Sequence, residues 1–150
     1  MSDGKQQAER ILASAQRTLS VEATALADLQ ARLDERFVRA VHTLLDCKGR
    51  VVVCGLGKTG HIARKIAATL ASTGTPAIFL HAAEALHGDL GVLTAQDVLL
   101  ALSHSGTGHE ILTVVAGAHR LGVPVLAMTG NPNAELAQLS SVHLDVSVTA

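Results

Sequence analysis

The amino-acid sequence predicts an α/β fold built on a five-stranded parallel sheet. Short, continuously apolar segments, such as residues 50–54 and 97–102, alternate with amphipathic segments long enough to form helices. Two of the apolar segments run directly into glycine-rich loops that precede helices, at residues 51–60 and 98–108. Because parallel strands need crossover connections and are covered on both faces, this alternation favours a parallel sheet with helices on each side.

Strand and helix signals follow each other in a regular order. Gly74 and Gly122 end two helical segments, and Pro76 and Pro124 come two residues after them, a combination typical of a helix stop. The predicted strands cover residues 50–54, 76–80, 97–102, 123–128 and 142–148, and the helices between them cover 58–73, 109–121 and 133–139.

The segment before the first strand has the spacing of one long amphipathic helix over residues 5–46. Its apolar residues recur in steps of three, four and seven, at Leu12, Leu19, Leu26, Leu29, Leu33, Phe37, Val41 and Leu44. One small sheet cannot cover so long a stripe, so we expect it to pack partly on another subunit, in a homodimer or homotetramer. The sequence thus divides into an N-terminal helix, residues 1–46, and an α/β domain, residues 47–150, that stops at its fifth strand.

Composition excludes several classes of function. The net charge is −1 with no block of basic residues, and Phe37 and Phe79 are the only aromatic residues, which argues against nucleic-acid binding. No stretch resembles a signal peptide, and none reaches the ~18 apolar residues of a membrane span, so we expect a cytoplasmic protein without membrane contact. Cys47 and Cys54 lack metal-binding spacing, and Cys54 ends an apolar strand, so we expect a reduced core thiol there.

Both glycine-rich loops lie where a parallel sheet binds ligands, at the carboxyl ends of strands and at helix N-termini. Backbone N–H groups and the helix dipole favour an anion there. The second loop adds the hydroxyls of Ser103, Ser105 and Thr107 beside Gly106 and Gly108. This combination predicts a phosphate site, and hence a phosphorylated ligand.

Charged residues and histidines near these loops are candidates for chemistry. Lys58 lies in the first turn of a helix, where a cation is unfavourable unless an anion is close, whereas Glu110 in the equivalent turn could simply stabilise the helix dipole. His87 precedes Gly88 and Asp89 in an irregular segment. A metal site formed by His87 with His104 and His109 is an alternative without fixed ligand spacing.

Two nucleotide-binding motifs are incomplete. Gly55, Gly57 and Gly60 match a dinucleotide fingerprint, but the second strand ends at His81 without the acid that would bind a ribose hydroxyl. The Gly57-Lys58-Thr59 triplet resembles an ATP-binding P-loop, which needs a glycine where this chain has Val52. Both NAD and ATP are therefore disfavoured, and no cofactor is expected.

Several longer sequence motifs resemble those of the SIS (sugar isomerase) domain, and specifically those of the arabinose-5-phosphate isomerases that supply Kdo for bacterial lipopolysaccharide and capsule. The resemblance covers about residues 17–150. The matching motifs are CKGR at 47–50, GLGKTGHI at 55–62, ASTGTP at 71–76 and ALHGDLG at 85–91.

The resemblance implies a three-layer, flavodoxin-like SIS fold and a sugar-phosphate ligand handled without metal or cofactor. It implies catalytic roles for Lys58, His87 and Glu110, and phosphate binding by Ser103 and Ser105. Other residues of the two loops complete the predicted phosphate-binding set, namely Gly57, Thr59, Thr107 and Gly108.

Two departures from the family pattern accompany the resemblance. Thr107 and Gly108 replace an acid and a hydroxyl residue of the usual phosphate loop. These 150 residues also lack the family's later Glu, its closing helix, a further catalytic His and the CBS domains. The predicted activity is interconversion of D-ribulose 5-phosphate and D-arabinose 5-phosphate in the full-length protein. The alternative is a non-catalytic sugar-phosphate sensor, which has no need of Lys58, His87 and Glu110 together.

Overall fold

The five predicted strands form one parallel sheet in a computed structural model that describes residues 2–148. The strands are β1 (Val51–Gly55), β2 (Ala77–His81), β3 (Val98–Leu102), β4 (Val125–Thr129) and β5 (Val142–Asp145). The helices are α1 (Ser2–Ala31), α2 (Glu35–Leu45), α3 (Gly57–Ser72), α4 (Ala82–Ala85), α5 (His109–Arg120) and α6 (Glu135–Leu139), with a 3-10 helix at Asp89–Val92. The predicted fold class is confirmed.

Strand order in the sheet is β2-β1-β3-β4-β5, and every neighbouring pair is parallel. The chain therefore moves from β1 to one side to form β2, and then crosses back to place β3 on the other side of β1. Because right-handed crossovers in opposite directions cover opposite faces, α3 and α5 lie on different faces of the sheet. The gap between the ends of β1 and β3 is the point where ligands bind in such sheets.

Alternate residues of the buried strands supply two separate apolar cores. Val51 and Val53 face the side of α2 and α3, where they pack with Ala63. Val52 faces the side of α4, α5 and α6, where it packs with Val115. Burial on both faces explains why these strands are apolar throughout instead of alternating with polar residues.

Asp97 links the amino ends of β1 and β3 through hydrogen bonds. Its carboxylate is 2% exposed and accepts hydrogen bonds from the N–H groups of Arg50, at 2.7 Å, and Thr94, at 2.8 Å. The guanidinium of Arg50 lies 3.6 Å from the same carboxylate. A Cβ at Gly49 would overlap an Asp97 oxygen, so the residue before Arg50 must be glycine.

The prediction of one helix over residues 5–46 is wrong, because α1 ends at Ala31 and α2 begins at Glu35. Asp34 between them has an extended backbone, with φ −142°, and its side chain accepts a hydrogen bond from the N–H of Arg36 at 2.9 Å. An aspartate in this position caps a new helix instead of continuing the old one. The apolar spacing passes through the turn, so the pattern alone did not reveal the break.

The described residues divide at this turn into two compact units. One holds residues up to Leu33 together with Val148, and the other holds residues 34–147, so α2 belongs with the sheet. Within that second unit α2 packs against β5 and buries Ala40. The apolar stripe of the first unit is exposed, with relative exposures of 53–68% at Leu12, Leu19, Leu26 and Leu33.

The fifth strand is shorter than predicted, because it ends at Asp145 instead of Val148. Asp145 Oδ1 accepts a hydrogen bond from the N–H of Ser147 at 2.9 Å, a local turn that competes with extension of the strand. None of the described helices is long and apolar enough to cross a membrane.

Candidate active site

A cleft of about 420 Å³ opens at the carboxyl ends of β1 and β3, where the strand order reverses. Helices α3 and α5, which follow these two strands, begin at its edge and direct their N-terminal N–H groups towards it. The polar residues that line the cleft are Lys58, Thr59, Ser103, His104, Ser105 and Glu110. The sheet thus brings both glycine-rich loops of the sequence into one site.

The first loop makes a sharp turn from β1 into α3. Gly57 has φ +56°, a left-handed conformation that favours glycine. A Cβ at Gly55 would lie 2.7 Å from the carbonyl oxygen of Thr59, so the helix can approach the strand only because residue 55 has no side chain. The Thr59 hydroxyl donates to the carbonyl oxygen of Leu56 at 2.8 Å. These constraints place Lys58 on the first turn of α3, exposed at the cleft.

The second loop uses its serine oxygens as acceptors within the loop itself. Ser103 Oγ accepts the N–H of Gly106 at 3.1 Å. Ser105 Oγ accepts the N–H of Thr107 at 3.4 Å and the Thr107 hydroxyl at 3.3 Å. Because each serine oxygen is occupied as an acceptor, its own O–H remains available to donate, which suits an anion in the cleft.

The turn between β4 and α6 supports the second loop from behind. The carbonyl oxygen of Gly106 accepts the N–H of Leu136 at 3.0 Å, and the N–H of Gly130 donates to the carbonyl oxygen of His104 at 2.9 Å. Gly106 has φ +67°, and a Cβ there would lie 2.5 Å from the Cβ of Ala134. The loop is therefore a fixed structure, and not a free polar turn.

The cleft combines a cation, a carboxylate and two helix N-termini. Glu110 is partly buried in the first turn of α5, with Oε2 3.9 Å from a Cβ placed on Gly108. Lys58 lies across from it at the start of α3, which has no acid in its first turn. Such an arrangement can hold a phosphate and supply a base and a positive charge beside it.

Cys54, at the end of β1, is excluded from this chemistry. It is fully buried, and burial raises the pKa of its thiol to about 12. The thiol stays protonated and cannot act as a nucleophile at neutral pH. The expectation that Cys54 is a core residue is confirmed.

The cleft unites most of the predicted site residues but not all. Lys58, Thr59, Ser103, Ser105, Gly108 and Glu110 line it, whereas Gly57 and Thr107 belong to the same loops without lining the cleft. His87 does not line the cleft. It is exposed in the turn after α4, where its backbone N–H donates to the carbonyl oxygen of Glu84 at 2.9 Å. Over the described residues, no three His, Cys, Asp or Glu side chains come together as a metal site.

Sequence reasoning assigned no part in the ligand site to three residues that line the cleft, and it considered a fourth, His104, only as a metal ligand. Leu56, Leu102 and Ile111 form its apolar wall, and His104 projects from the second loop. Leu56 could have been recognised as part of the site, because it is an apolar residue between the two glycines of the first loop. In the structure it is 39% exposed. The apolar ends of β3 and α5 look like ordinary core residues in the sequence.

The SIS domain family matches residues 44–150, which include the whole sheet and both loops. The chain belongs to the SIS domain family. A similar solved structure is that of c3406 from E. coli CFT073 in complex with arabinose 5-phosphate, with a TM-score of 0.88 and 34% identity over 93% of this chain and 74% of that one. The predicted SIS fold is confirmed.

Curated relatives of this SIS chain carry the name arabinose 5-phosphate isomerase. KdsD of Pseudomonas aeruginosa is 55% identical over 135 residues, which are 90% of this chain and 41% of that protein. GutQ of Escherichia coli O6:H1 is 47% identical over 140 residues, which are 93% of this chain and 44% of that protein. The chain therefore spans less than half the length of these two relatives.

Proposed function

We propose that the full-length protein is an aldose–ketose isomerase that interconverts D-arabinose 5-phosphate and D-ribulose 5-phosphate. The observation that carries this proposal is the single cleft that contains the serine loop, Lys58 and Glu110. The names of KdsD and GutQ, and the arabinose 5-phosphate bound to c3406, support the choice of substrate.

The phosphate group is proposed to bind at the second loop. The hydroxyls of Ser103 and Ser105 would donate to its oxygens, with the N–H of Gly108 at the start of α5. Both serine O–H groups are free to donate because their oxygens already accept hydrogen bonds inside the loop. Thr107 supports Ser105, and Gly57 and Thr59 shape the opposite loop.

The reaction moves one proton between two neighbouring carbons of the open-chain sugar. Glu110 is proposed to take the proton from C2, and the electron pair of that C–H bond moves to give an enediolate with negative charge on O1. Lys58 and the N-terminus of α3 would stabilise that charge. Return of a proton to C1, with transfer of the O2 proton to O1, gives the ketose.

His87 is proposed to assist ring opening from a neighbouring subunit. It is exposed and outside the cleft of its own chain, while the exposed apolar stripe of the N-terminal unit supports a homodimer or homotetramer. A cytoplasmic location and a role in supplying Kdo for lipopolysaccharide or capsule complete the proposal.

A sugar-phosphate sensor would use the same loop without needing proton-transfer groups. The presence of Lys58 and Glu110 in the phosphate cleft favours the enzyme. The test is an assay of the full-length protein with arabinose 5-phosphate, ribose 5-phosphate and glucose 6-phosphate, with NMR detection of the ketose. We expect conversion of arabinose 5-phosphate to ribulose 5-phosphate. Binding of that sugar without conversion would contradict the proposal and favour the sensor.

A further inference from the structure

His104 is the one imidazole that lines the cleft in the part of the chain that the structure describes. It stands between Ser103 and Ser105, on the loop proposed to bind phosphate. Neither of its ring nitrogens forms a hydrogen bond with another described residue, so both are available to a ligand. The proposed function assigns this side chain no role.

The His104 side chain is exposed, and its ring lies against the backbone of Gly130. A Cβ on Gly130 would lie 2.6 Å from Cε1 and 2.7 Å from Nδ1 of the ring, distances that real Cβ atoms do not show. Gly130 has a negative φ, so its backbone would accept a side chain, and the ring is what excludes one. The N–H of Gly130 also holds the His104 carbonyl oxygen at 2.9 Å.

We propose that His104 is a further contact of the substrate phosphate, protonated when the anion is bound, and that Gly130 keeps its ring at the cleft. This inference rests on the proposed sugar-phosphate function. An imidazolium donates charge-assisted hydrogen bonds, which are stronger than those of the serine hydroxyls. Its charge would compensate for the side chain that Gly108 lacks at the end of the same loop.

An imidazolium contact is lost when the ring deprotonates near neutral pH, so this role of His104 predicts that phosphate binding weakens between pH 6 and pH 8. Other charged or titratable groups on the surrounding elements are Lys58, His61, Arg64 and Lys65 on α3, His109, Glu110, His119 and Arg120 on α5, Glu135 on α6, and His143 and Asp145 on β5. His143 is near the loop because its Nε2 lies 2.8 Å from the hydroxyl of Thr129. The phosphate ester itself also titrates in this range. A comparison between variants cancels these contributions, because the ligand and the remaining groups are the same in each protein.

The experiment measures binding of arabinose 5-phosphate and of sulfate to the 150-residue chain by calorimetry at pH 6 and pH 8. Sulfate remains a dianion at both values and reports on the protein alone. The variants are His104→Asn, His109→Asn as the neighbouring rival, and His119→Asn, an exposed histidine at the far end of α5, as the matched control. Circular dichroism checks that each variant is folded.

We expect the wild type, His109→Asn and His119→Asn to lose about tenfold more affinity between pH 6 and pH 8 than His104→Asn does. An unchanged pH dependence in His104→Asn, or its loss in His109→Asn, would overturn the assignment of His104. If arabinose 5-phosphate fails to bind the wild type while sulfate binds with the expected pH dependence, the proposed substrate fails and His104 stands as an anion contact. Binding of neither ligand would overturn both.

The role of Gly130 is tested by a double-mutant cycle. Gly130→Ala should weaken binding severalfold in the wild type, because the added Cβ displaces the ring, and should have little effect in a His104→Ala background, where no ring is present. Equal losses in both backgrounds would show that Gly130 acts through the backbone and would refute its positioning role.

Discussion

Lys58 and Glu110 give the most direct prediction at the scale of single residues. In the full-length protein, Lys58→Ala and Glu110→Gln should each lower kcat by about 100-fold or more, because charge stabilisation and proton transfer contribute at least that much. Neither residue belongs to an apolar core, so the melting temperature should change little. The measurement is steady-state kinetics with arabinose 5-phosphate.

Exposed residues outside the cleft provide matched controls for these two variants. Lys65→Ala removes a lysine from the same helix as Lys58, and Glu84→Gln makes the same change as Glu110→Gln on α4. Both controls should keep normal kcat. A Lys58 or Glu110 variant that matches its control would remove that residue from the mechanism.

Asp97 gives a second residue-scale prediction, concerning stability and pH. Burial opposes ionisation of Asp97, but the N–H groups of Arg50 and Thr94 and the charge of Arg50 outweigh it and hold the pKa of the carboxyl below its usual value. The carboxylate therefore stabilises the fold above about pH 4, the usual value for an unfolded aspartate, and this contribution is lost as the pH falls through the lowered pKa.

Asp97→Asn should cost about 2 kcal/mol at pH 7, because an amide cannot accept both N–H groups as a carboxylate does. Urea denaturation at several pH values measures the difference from wild type, and Asp46→Asn serves as the exposed control. The deficit should shrink below pH 4. A deficit that is constant from pH 7 to pH 3 would contradict the role of the charge.

The sequence identified most of the polar residues that line the cleft, but not its apolar walls. Lys58 was recognisable because a cation is unfavourable at a helix N-terminus, and Ser103 and Ser105 were recognisable because several hydroxyls and glycines follow one buried strand. His104 was visible only as a metal candidate, because its position depends on contact with Gly130, 26 residues later in the chain. A contact between two loops that are far apart in the sequence, such as this one, cannot be predicted from the local spacing of residue types.

The second loop, residues 103–108, is the element whose rigidity can be tested by one substitution. Gly106→Ala should abolish measurable binding of arabinose 5-phosphate, because the new Cβ would overlap Ala134 and the left-handed backbone disfavours alanine. Gly122→Ala is the control, since its φ of +71° is equally left-handed but its Cβ would meet open space. It should lower the melting temperature without changing affinity. Equal affinities in the two variants would show that the loop adapts to the clash.

The break between α1 and α2 shows what periodicity cannot decide at the scale of elements. The apolar steps predicted helix on both sides of residue 33, and helix is present on both sides. The turn is capped by Asp34, whose carboxylate accepts hydrogen bonds from the backbone N–H and from the guanidinium of Arg36, and the break leaves the apolar spacing almost unchanged. A single N-cap residue such as Asp34 is weak evidence for a helix break when the apolar pattern continues through it, although in the structure it marks the start of a new helix.

At the scale of the whole molecule, the exposed apolar stripe of the N-terminal unit predicts self-association. Leu26→Glu combined with Leu33→Glu should convert the assembly to monomers, because charged side chains at these exposed positions cannot be buried between subunits. Gln16→Glu combined with Gln30→Glu adds the same charge at polar positions and should leave the assembly intact. Sedimentation velocity at micromolar concentration measures both. A wild-type chain that sediments as a monomer would refute the prediction.

Fold class was predictable because it follows from the alternation of buried strands and helices, which local composition records. The parallel sheet and the position of the site at its carboxyl edge both follow from that alternation. The role proposed for His87 does not follow from that alternation, because it depends on a neighbouring subunit.

The central claim is that one cleft holds the phosphate on the serine loop and the reacting carbons beside Lys58 and Glu110. A crystal structure of the chain with arabinose 5-phosphate tests this claim most directly. We expect the phosphate oxygens to lie about 2.5–3.2 Å from the Oγ atoms of Ser103 and Ser105, with C1 and C2 directed towards Lys58 and Glu110. A phosphate bound outside the 103–108 loop, or a sugar in the reverse orientation, would contradict it.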